Sequence, residues 1–286
     1  MNLFDRLVEQ AMRSDASLGM VRPAVEKELL HHDILRELSR AGLLFGLTFI
    51  GGSCLRTCYG SSRLSEDLDF TGGIGFDPGQ LEPLPHVLEQ TLFEKYGLPV
   101  SVSRPVKEDG NVSTWKLRIE TRQGSRDLPS QRIHIDICAL GSHQPRPMFL
   151  RNAYGVDMST DGLVVRAQSL EEILADKWVA LALRPNRVQY RDLWDILWLD
   201  RRGVDLDVVL LGTKTDDRRT DWRSFVSALS RRSEELRNHK NHAAAFAKEM
   251  ARFLPAASVS EVVGQPDFWS ALVSLLEDRI SLIRSG

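Results

Sequence analysis

Cysteine is scarce in this chain, with three thiols, Cys54, Cys58 and Cys138, among 286 residues. The odd number and the lack of a CxxC pair argue against a disulfide framework or a four-thiolate zinc site. Cys54 and Cys58 stand four apart on an expected helix and read as small buried residues. Long apolar runs are also missing, so no segment has the length of a membrane span. Neither sign of charge dominates: 37 Lys plus Arg against 39 Asp plus Glu leave a formal net charge of −2. No global positive field therefore draws in a polyanion, and any contact with nucleic acid has to be local. The start, Met1-Asn2-Leu3-Phe4-Asp5-Arg6, has an acid where a secretory signal needs an apolar core, which predicts a cytoplasmic protein. What the chain does have is 42% hydrophobic and 27% charged residues, enough to bury a core in one large or two ordinary domains.

Val21, Val25, Leu29, Leu30, Ile34, Leu35 and Leu38 keep a helical period, and Gly42 supplies a stop. The nearly continuous apolar run from Leu43 to Ile50 predicts a strand buried on both faces, ended by Gly51-Gly52. A short helix is expected over Ser53 to Tyr59. Around Leu68 the sequence alternates, which places Asp67 and Asp69 on one strand face and Leu68 and Phe70 on the other. A helix is expected over Gln80 to Tyr96. Two alternating stretches follow, one carrying Trp115, Leu117 and Ile119 and the other Ile133, Ile135 and Ile137, joined by a polar loop over residues 123 to 130. Beyond about residue 166 the pattern turns helical: Leu170 to Leu183, Tyr190 to Leu199, Trp222 to Leu236, Ala243 to Phe253 and Asp267 to Ile283. Trp178, Trp194 and Trp198 read as core of that region. The expected division is an α/β domain with N-terminal helices over residues 1–166 and a helical domain over 167–286.

Gly51-Gly52-Ser53 stands where a buried strand meets a helix, a place where backbone N–H groups converge and small residues allow close approach by phosphate. Glycines at such a turn also serve geometry alone. Fourteen residues after Ser53 comes Asp67, with Asp69 on the same face. Two carboxylates so close repel, and divalent cations relieve the repulsion; hard oxygen donors favour Mg²⁺. A solvated strand end is the plainer reading of the same pair. Asp136 adds a third carboxylate inside an Ile-rich strand, where an unpaired charge is costly to bury. Three such groups can hold two Mg²⁺ ions, one lowering the pKa of an attacking hydroxyl and one neutralising a leaving pyrophosphate. The reaction class that follows is nucleotidyl transfer.

The run from Gly51-Gly52-Ser53-Cys54-Leu55-Arg56 through Arg63-Leu64-Ser65-Glu66-Asp67-Leu68-Asp69-Phe70 resembles the first motif of the AbiEii/MenT nucleotidyltransferases. These are toxins of type IV toxin-antitoxin systems within the DNA polymerase β-like superfamily. Arg132-Ile133-His134-Ile135-Asp136 resembles the second motif, with Arg where Lys is frequent. Leu170 to Arg184, centred on Asp176-Lys177-Trp178, resembles the third, and Arg191-Asp192-Leu193-Trp194-Asp195-Ile196 the fourth. The motifs span about residues 43 to 200 in order. The resemblance implies an α+β fold, a polymerase β-like mixed sheet with flanking helices followed by a helical domain. It implies an NTP as substrate, CTP or GTP by analogy, the 3′ end of tRNA as acceptor, and an AbiEi-like antitoxin as partner.

By the same resemblance, Asp67 and Asp69 bind metal, and Asp136 completes the site or takes the proton of the acceptor hydroxyl. Ser53 contacts phosphate beside Gly51 and Gly52, and Lys177 reaches the triphosphate. Asp195 aligns with the second acid of the fourth motif. Asp192 is either a site residue or a salt-bridge partner. Arg56 and Arg63 steady phosphates or pair with Glu66 or another acid. Ser65 matches a position that some relatives present to their antitoxin for phosphorylation. His134 shares the strand face of Asp136 and reads as a neighbour of the site or as ordinary packing.

Charge is uneven along the chain. Lys214 to Arg252 holds ten basic residues against six acids, a segment of +4 that reads as a tRNA-backbone patch or an ordinary solvated helical face. Two further readings stand beside the toxin. One is the same chemistry on a small molecule such as an aminoglycoside, and the other is a catalytically silent NTP-binding module.

Overall fold

A computed structural model of the chain describes residues 2–14, 16–106, 110–121, 130–185, 187–239 and 241–285. The chain divides into two compact units, residues 1–168 and 169–286.

The first unit is built on a seven-stranded mixed sheet in the order β3-β4-β5-β2-β1-β7-β6. Its strands are β1 (Thr48–Ile50), β2 (Leu68–Thr71), β3 (Val100–Ser103), β4 (Val112–Ile119), β5 (Gln131–Cys138), β6 (Pro145–Phe149) and β7 (Val164–Gln168). Helices α1 (Leu3–Ser14), α2 (Arg22–Arg40), α3 (Gly51–Tyr59) and α4 (Leu84–Tyr96) accompany it. Alternation along β4 and β5 sends Trp115, Leu117, Ile119, Ile133, Ile135 and Ile137 into the core, where each is essentially inaccessible. Each such side chain contributes roughly 1.5–3 kcal/mol as an upper figure. Leu68 and Phe70 of β2 join that layer, leaving the even-numbered residues of β4 and β5 and the odd-numbered residues of β2 on the opposite face.

Three expectations are corrected. The run from Leu43 to Ile50 is a strand only over Thr48–Ile50. Gly42 and Gly46 adopt φ of 71° and 85°, and the backbone closes on itself through Leu43 N–H to Leu38 O, Phe45 N–H to Gly42 O and Leu47 N–H to Leu44 O. Phe45 is consequently 95% exposed. The expected helix over 80–96 is divided into a 3₁₀ turn, Pro78–Leu81, and α4, whose start carries proline where the missing N–H is not needed. Strands β3, β6 and β7 were not foreseen. In β6 the prolines 145 and 147 cannot donate to a ladder, and β6 lies at the sheet edge, where this is tolerated.

The second unit consists of α5 (Leu170–Leu183), α6 (Tyr190–Arg201), α7 (Val208–Asp216), α8 (Trp222–Asn238), α9 (Asn241–Met250), the short α10 (Ala256–Ser258) and α11 (Phe268–Ser285). Ser169 caps α5 by accepting from Glu172 N–H at 3.1 Å. Asp207 and Asp221 cap α7 and α8 in the same way. Trp178 and Trp194 are buried, while Trp198 is half-exposed under the Arg202 guanidinium. The polar loop expected over 123–130 lies outside the described residues except for Ser130, and so does Lys240. Among the described residues no helix is long and apolar enough to cross a membrane.

Candidate active site

The turn from β1 into α3 begins at Gly51, whose φ of 73° is open to glycine and strained for other residues. A Cβ there would lie 2.7 Å from Asp69 Oδ2, so the missing side chain is what admits the carboxylate. At Gly52 a Cβ would collide with the Arg63 guanidinium. The leading N–H groups of α3 have no carbonyl one turn earlier to bond.

Register assembles the acids. β2 runs parallel to β5 with Asp69 opposite Asp136, and Leu68 opposite Ile135. Adjacent strands are roughly 4.8 Å apart, so the two aspartates project side by side from one sheet face. Asp67, two residues before Asp69, is next to His134: its Oδ1 accepts from the His134 backbone N–H at 3.0 Å and lies 3.4 Å from the ring Nδ1. Thr114 on β4, the cross-strand neighbour of Asp136, donates its hydroxyl to Asp136 Oδ1 at 2.6 Å. Burial pushes the Asp136 carboxyl above the usual carboxylate range; the Thr114 hydrogen bond, His134 and Lys116 oppose that shift, while the negative charge of Asp67 adds to it.

An all-carboxylate donor set whose members crowd one another suits a hard divalent cation. In the described conformation, no group of three or more His, Cys, Asp or Glu side chains among the described residues converges into a cage for one. The fit to Mg²⁺ therefore rests on donor chemistry and strand register.

The other residues singled out from the sequence are placed as follows. Ser53 is buried, its hydroxyl donating to the Asp67 carbonyl and lying 2.9 Å from the Ser65 hydroxyl. It ties α3 to the acidic strand. Ser65 is buried as well, and its N–H donates to Glu28 Oε1 at 2.9 Å. Arg56 is not poised on a phosphate: its Nε donates to Glu28 Oε2 at 3.0 Å, its Nη1 to Ser61 O at 2.8 Å, and it faces Tyr154. The acid it pairs with is Glu28 rather than Glu66, which takes Lys27 at 2.9 Å. Arg63 is buried against Gly52 and donates to Leu64 O. Its guanidinium supports the glycine turn from within.

In the second unit, Lys177 on α5 lies 2.7 Å from Asp192 Oδ1 and 2.8 Å from Asp195 Oδ2, both on α6. Arg184 holds the other Asp192 oxygen at 2.9 Å. Three-residue spacing puts both acids on one side of α6, and Asp195 is inaccessible to solvent. Lys177 is thus part of a buried ion network, and Asp192 is a salt-bridge partner in it. Thr114 and Lys116 were not foreseen as neighbours of the acids. Only the alternation of β4, which sets them on its outward face, could have pointed to them.

The basic segment is partly matched by acids. Lys214 is buried with Glu172 at 2.6 Å and Asp176 at 3.2 Å, and Arg218 binds Asp176 at 2.9 Å. Arg232 pairs with Glu235, and Arg237 with Glu277. Four of the segment's cations are thus matched, three of them to acids outside the segment.

No curated protein sequence matches the chain. Among solved structures, MenT4, a nucleotidyltransferase toxin of Mycobacterium tuberculosis H37Rv, is 17% identical with a TM-score of 0.56, over 96% of this chain and 98% of that one. JHP933 from Helicobacter pylori is 15% identical with a TM-score of 0.48, over 92% and 97% respectively. The MenT4 likeness supports the α+β fold of a mixed sheet with flanking helices. The model of the AbiEii nucleotidyl transferase toxins of type IV toxin-antitoxin systems matches residues 33–273. The chain belongs to this AbiEii family and is a nucleotidyltransferase.

Proposed function

We propose that the protein transfers NMP from an NTP, CTP or GTP by family analogy, to the 3′ end of tRNA in the cytoplasm and so blocks translation. An AbiEi-like antitoxin neutralises it. The observation that carries this reading is the register pair Asp69 and Asp136 beside the Gly51 turn. In the reaction the 3′ hydroxyl oxygen forms a bond to the α-phosphorus, the bond to the bridging oxygen breaks, and pyrophosphate leaves.

Asp67, Asp69 and Asp136 would hold Mg²⁺, two ions by analogy, which supplies Lewis-acid stabilisation of the transferring phosphoryl group. His134 orients Asp67, and Thr114 orients Asp136. Asp136, or a water it holds, takes the hydroxyl proton. Gly51 admits the Asp69 carboxylate and Gly52 the Arg63 guanidinium, and the leading N–H groups of α3, braced by Ser53 and Arg63, receive the phosphate oxygens. In the second unit Lys177 serves the triphosphate, with Asp192 and Asp195 fixing the position of its ammonium.

The test is incubation with each labelled NTP, Mg²⁺ and total tRNA. Label should enter RNA with wild type and not with Asp69→Asn. A folded, NTP-binding protein that labels no RNA under any metal condition would refute the reading.

A further inference from the structure

The face of the sheet that carries the acids continues past them over β4 and β5. In register, Lys116 stands opposite His134, and Arg118 opposite Arg132. Lys116, Arg118 and Arg132 are exposed, and His134 keeps 44% of its side-chain surface. Arg118 donates to Ser130 Oγ at 2.9 Å and lies 3.7 Å from Glu120. Among the described residues neither Lys116 nor Arg132 makes a salt bridge or a side-chain hydrogen bond.

An open face of an antiparallel pair is ordinarily polar, and charge on it needs no explanation. The arrangement of sign does. Opposite charges across neighbouring strands stabilise a sheet, and like charges directly opposite destabilise it. Here two successive outward pairs set cation against cation, or cation against histidine, where Glu or Thr would cost nothing. The ladder runs toward Asp136, which feels the charge of both Lys116 and His134. A row of cations with outward pairs spaced roughly 7 Å along the strands, on a solvent-facing surface, suits the polyanionic backbone of a nucleic acid, whose phosphates are met by Lys and Arg.

We infer that Lys116, Arg118 and Arg132 form a phosphate track that holds the acceptor RNA backbone over the β4–β5 face and leads its 3′ end to the aspartates. This rests on the RNA-directed reading above and adds where the RNA lies. It moves the expected contact from the Lys214 to Arg252 segment to the sheet. The residues bind and position; the chemistry remains with the carboxylates.

The experiment measures binding of the full-length protein to labelled total tRNA across a salt series. Three variants are compared with wild type: Lys116→Ala/Arg132→Ala, the charge-preserving Lys116→Arg/Arg132→Lys, and Arg223→Ala/Arg231→Ala on α8. The first should weaken binding on the order of tenfold and flatten the log–log salt slope by about 1.4 to 1.8 for two lost phosphate contacts. The second and third should match wild type. The Tm of the first should be unchanged or higher, since a repulsive pair has gone; a fall would mark the cations as structural and count against the track. Wild-type affinity and slope in the first variant would overturn the inference and leave RNA as the partner, and loss in the α8 variant would place the contact on the helices instead. If wild type binds no RNA, the RNA reading and the track fall together.

Discussion

The outward face of the sheet and the packed helices of the second unit treat charge in opposite ways. In the sheet unit, acids and cations stand on the outward face of β2, β4 and β5, brought together by register and left half or fully exposed. In the helical unit, Lys177, Lys214, Arg184 and Arg218 are matched to Asp192, Asp195, Glu172 and Asp176 within 2.6 to 3.2 Å. A sheet with one open face keeps charge accessible at no desolvation cost. Helices packed against one another bury it, and then each charge needs a partner. The sequence-averaged charge near zero hides this difference, and so does the +4 of the Lys214 to Arg252 segment.

The contrast can be broken most severely at Asp69. Asp69→Asn should lower NMP transfer by about 10³-fold or more while leaving the melting temperature near wild type, read by label incorporation beside a thermal scan. At Lys214 in the helical unit the effect should reverse, with stability rather than chemistry lost. Lys214→Ala removes the ion pair to the inaccessible Glu172 and should cost about 3–5 kcal/mol in urea unfolding.

Acid sharpens the comparison. In the sheet unit, burial lowers His31 to about 3 and His32 to about 4 from the ordinary 6.5, with Glu66 O and the Thr160 hydroxyl as their respective hydrogen-bond partners. Both are neutral when folded and protonate more readily when unfolded. Stability is therefore full above pH 6.5 and falls toward pH 4, by at most about 1.4 kcal/mol per pH unit for each histidine. Urea midpoints at pH 7, 5.5 and 4.5 should show that loss, and His32→Gln should remove about half of it, leaving His31's share.

A smaller effect is expected at the glycine turn. Gly51→Ala should cost about 1–3 kcal/mol from its positive φ and displace Asp69, so transfer should fall further than stability alone explains. The smallest belongs to the open sheet face, where Lys116→Ala/Arg132→Ala should change unfolding free energy by no more than about 0.5 kcal/mol per site.

Local period and spacing made much of the fold readable. Leu68 and Phe70 against Asp67 and Asp69, and the Ile133-Ile135-Ile137 alternation, gave the faces of β2 and β5 directly. The helix over Leu170–Leu183 was bounded by its apolar period, with a Ser169 cap. The run from Leu43 to Leu47 misled because an apolar stretch has no period to separate strand from turn, and Gly46 was decisive. β6 was hidden by Pro145 and Pro147, whose edge position only the sheet order explains. The site was legible as a set of residue types but not as a set of partners. That Asp69 meets Asp136, that Thr114 holds Asp136, and that Arg56 is taken up by Glu28 are facts of strand register and helix packing between residues up to 67 positions apart.

The most direct test is the sequence of tRNA 3′ ends in cells expressing the protein without an antitoxin. Wild type should add untemplated nucleotides to those ends as growth stops, and Asp69→Asn should leave both growth and ends unaltered. Growth arrest with unmodified tRNA 3′ ends, or arrest that survives loss of Asp69, would contradict the account.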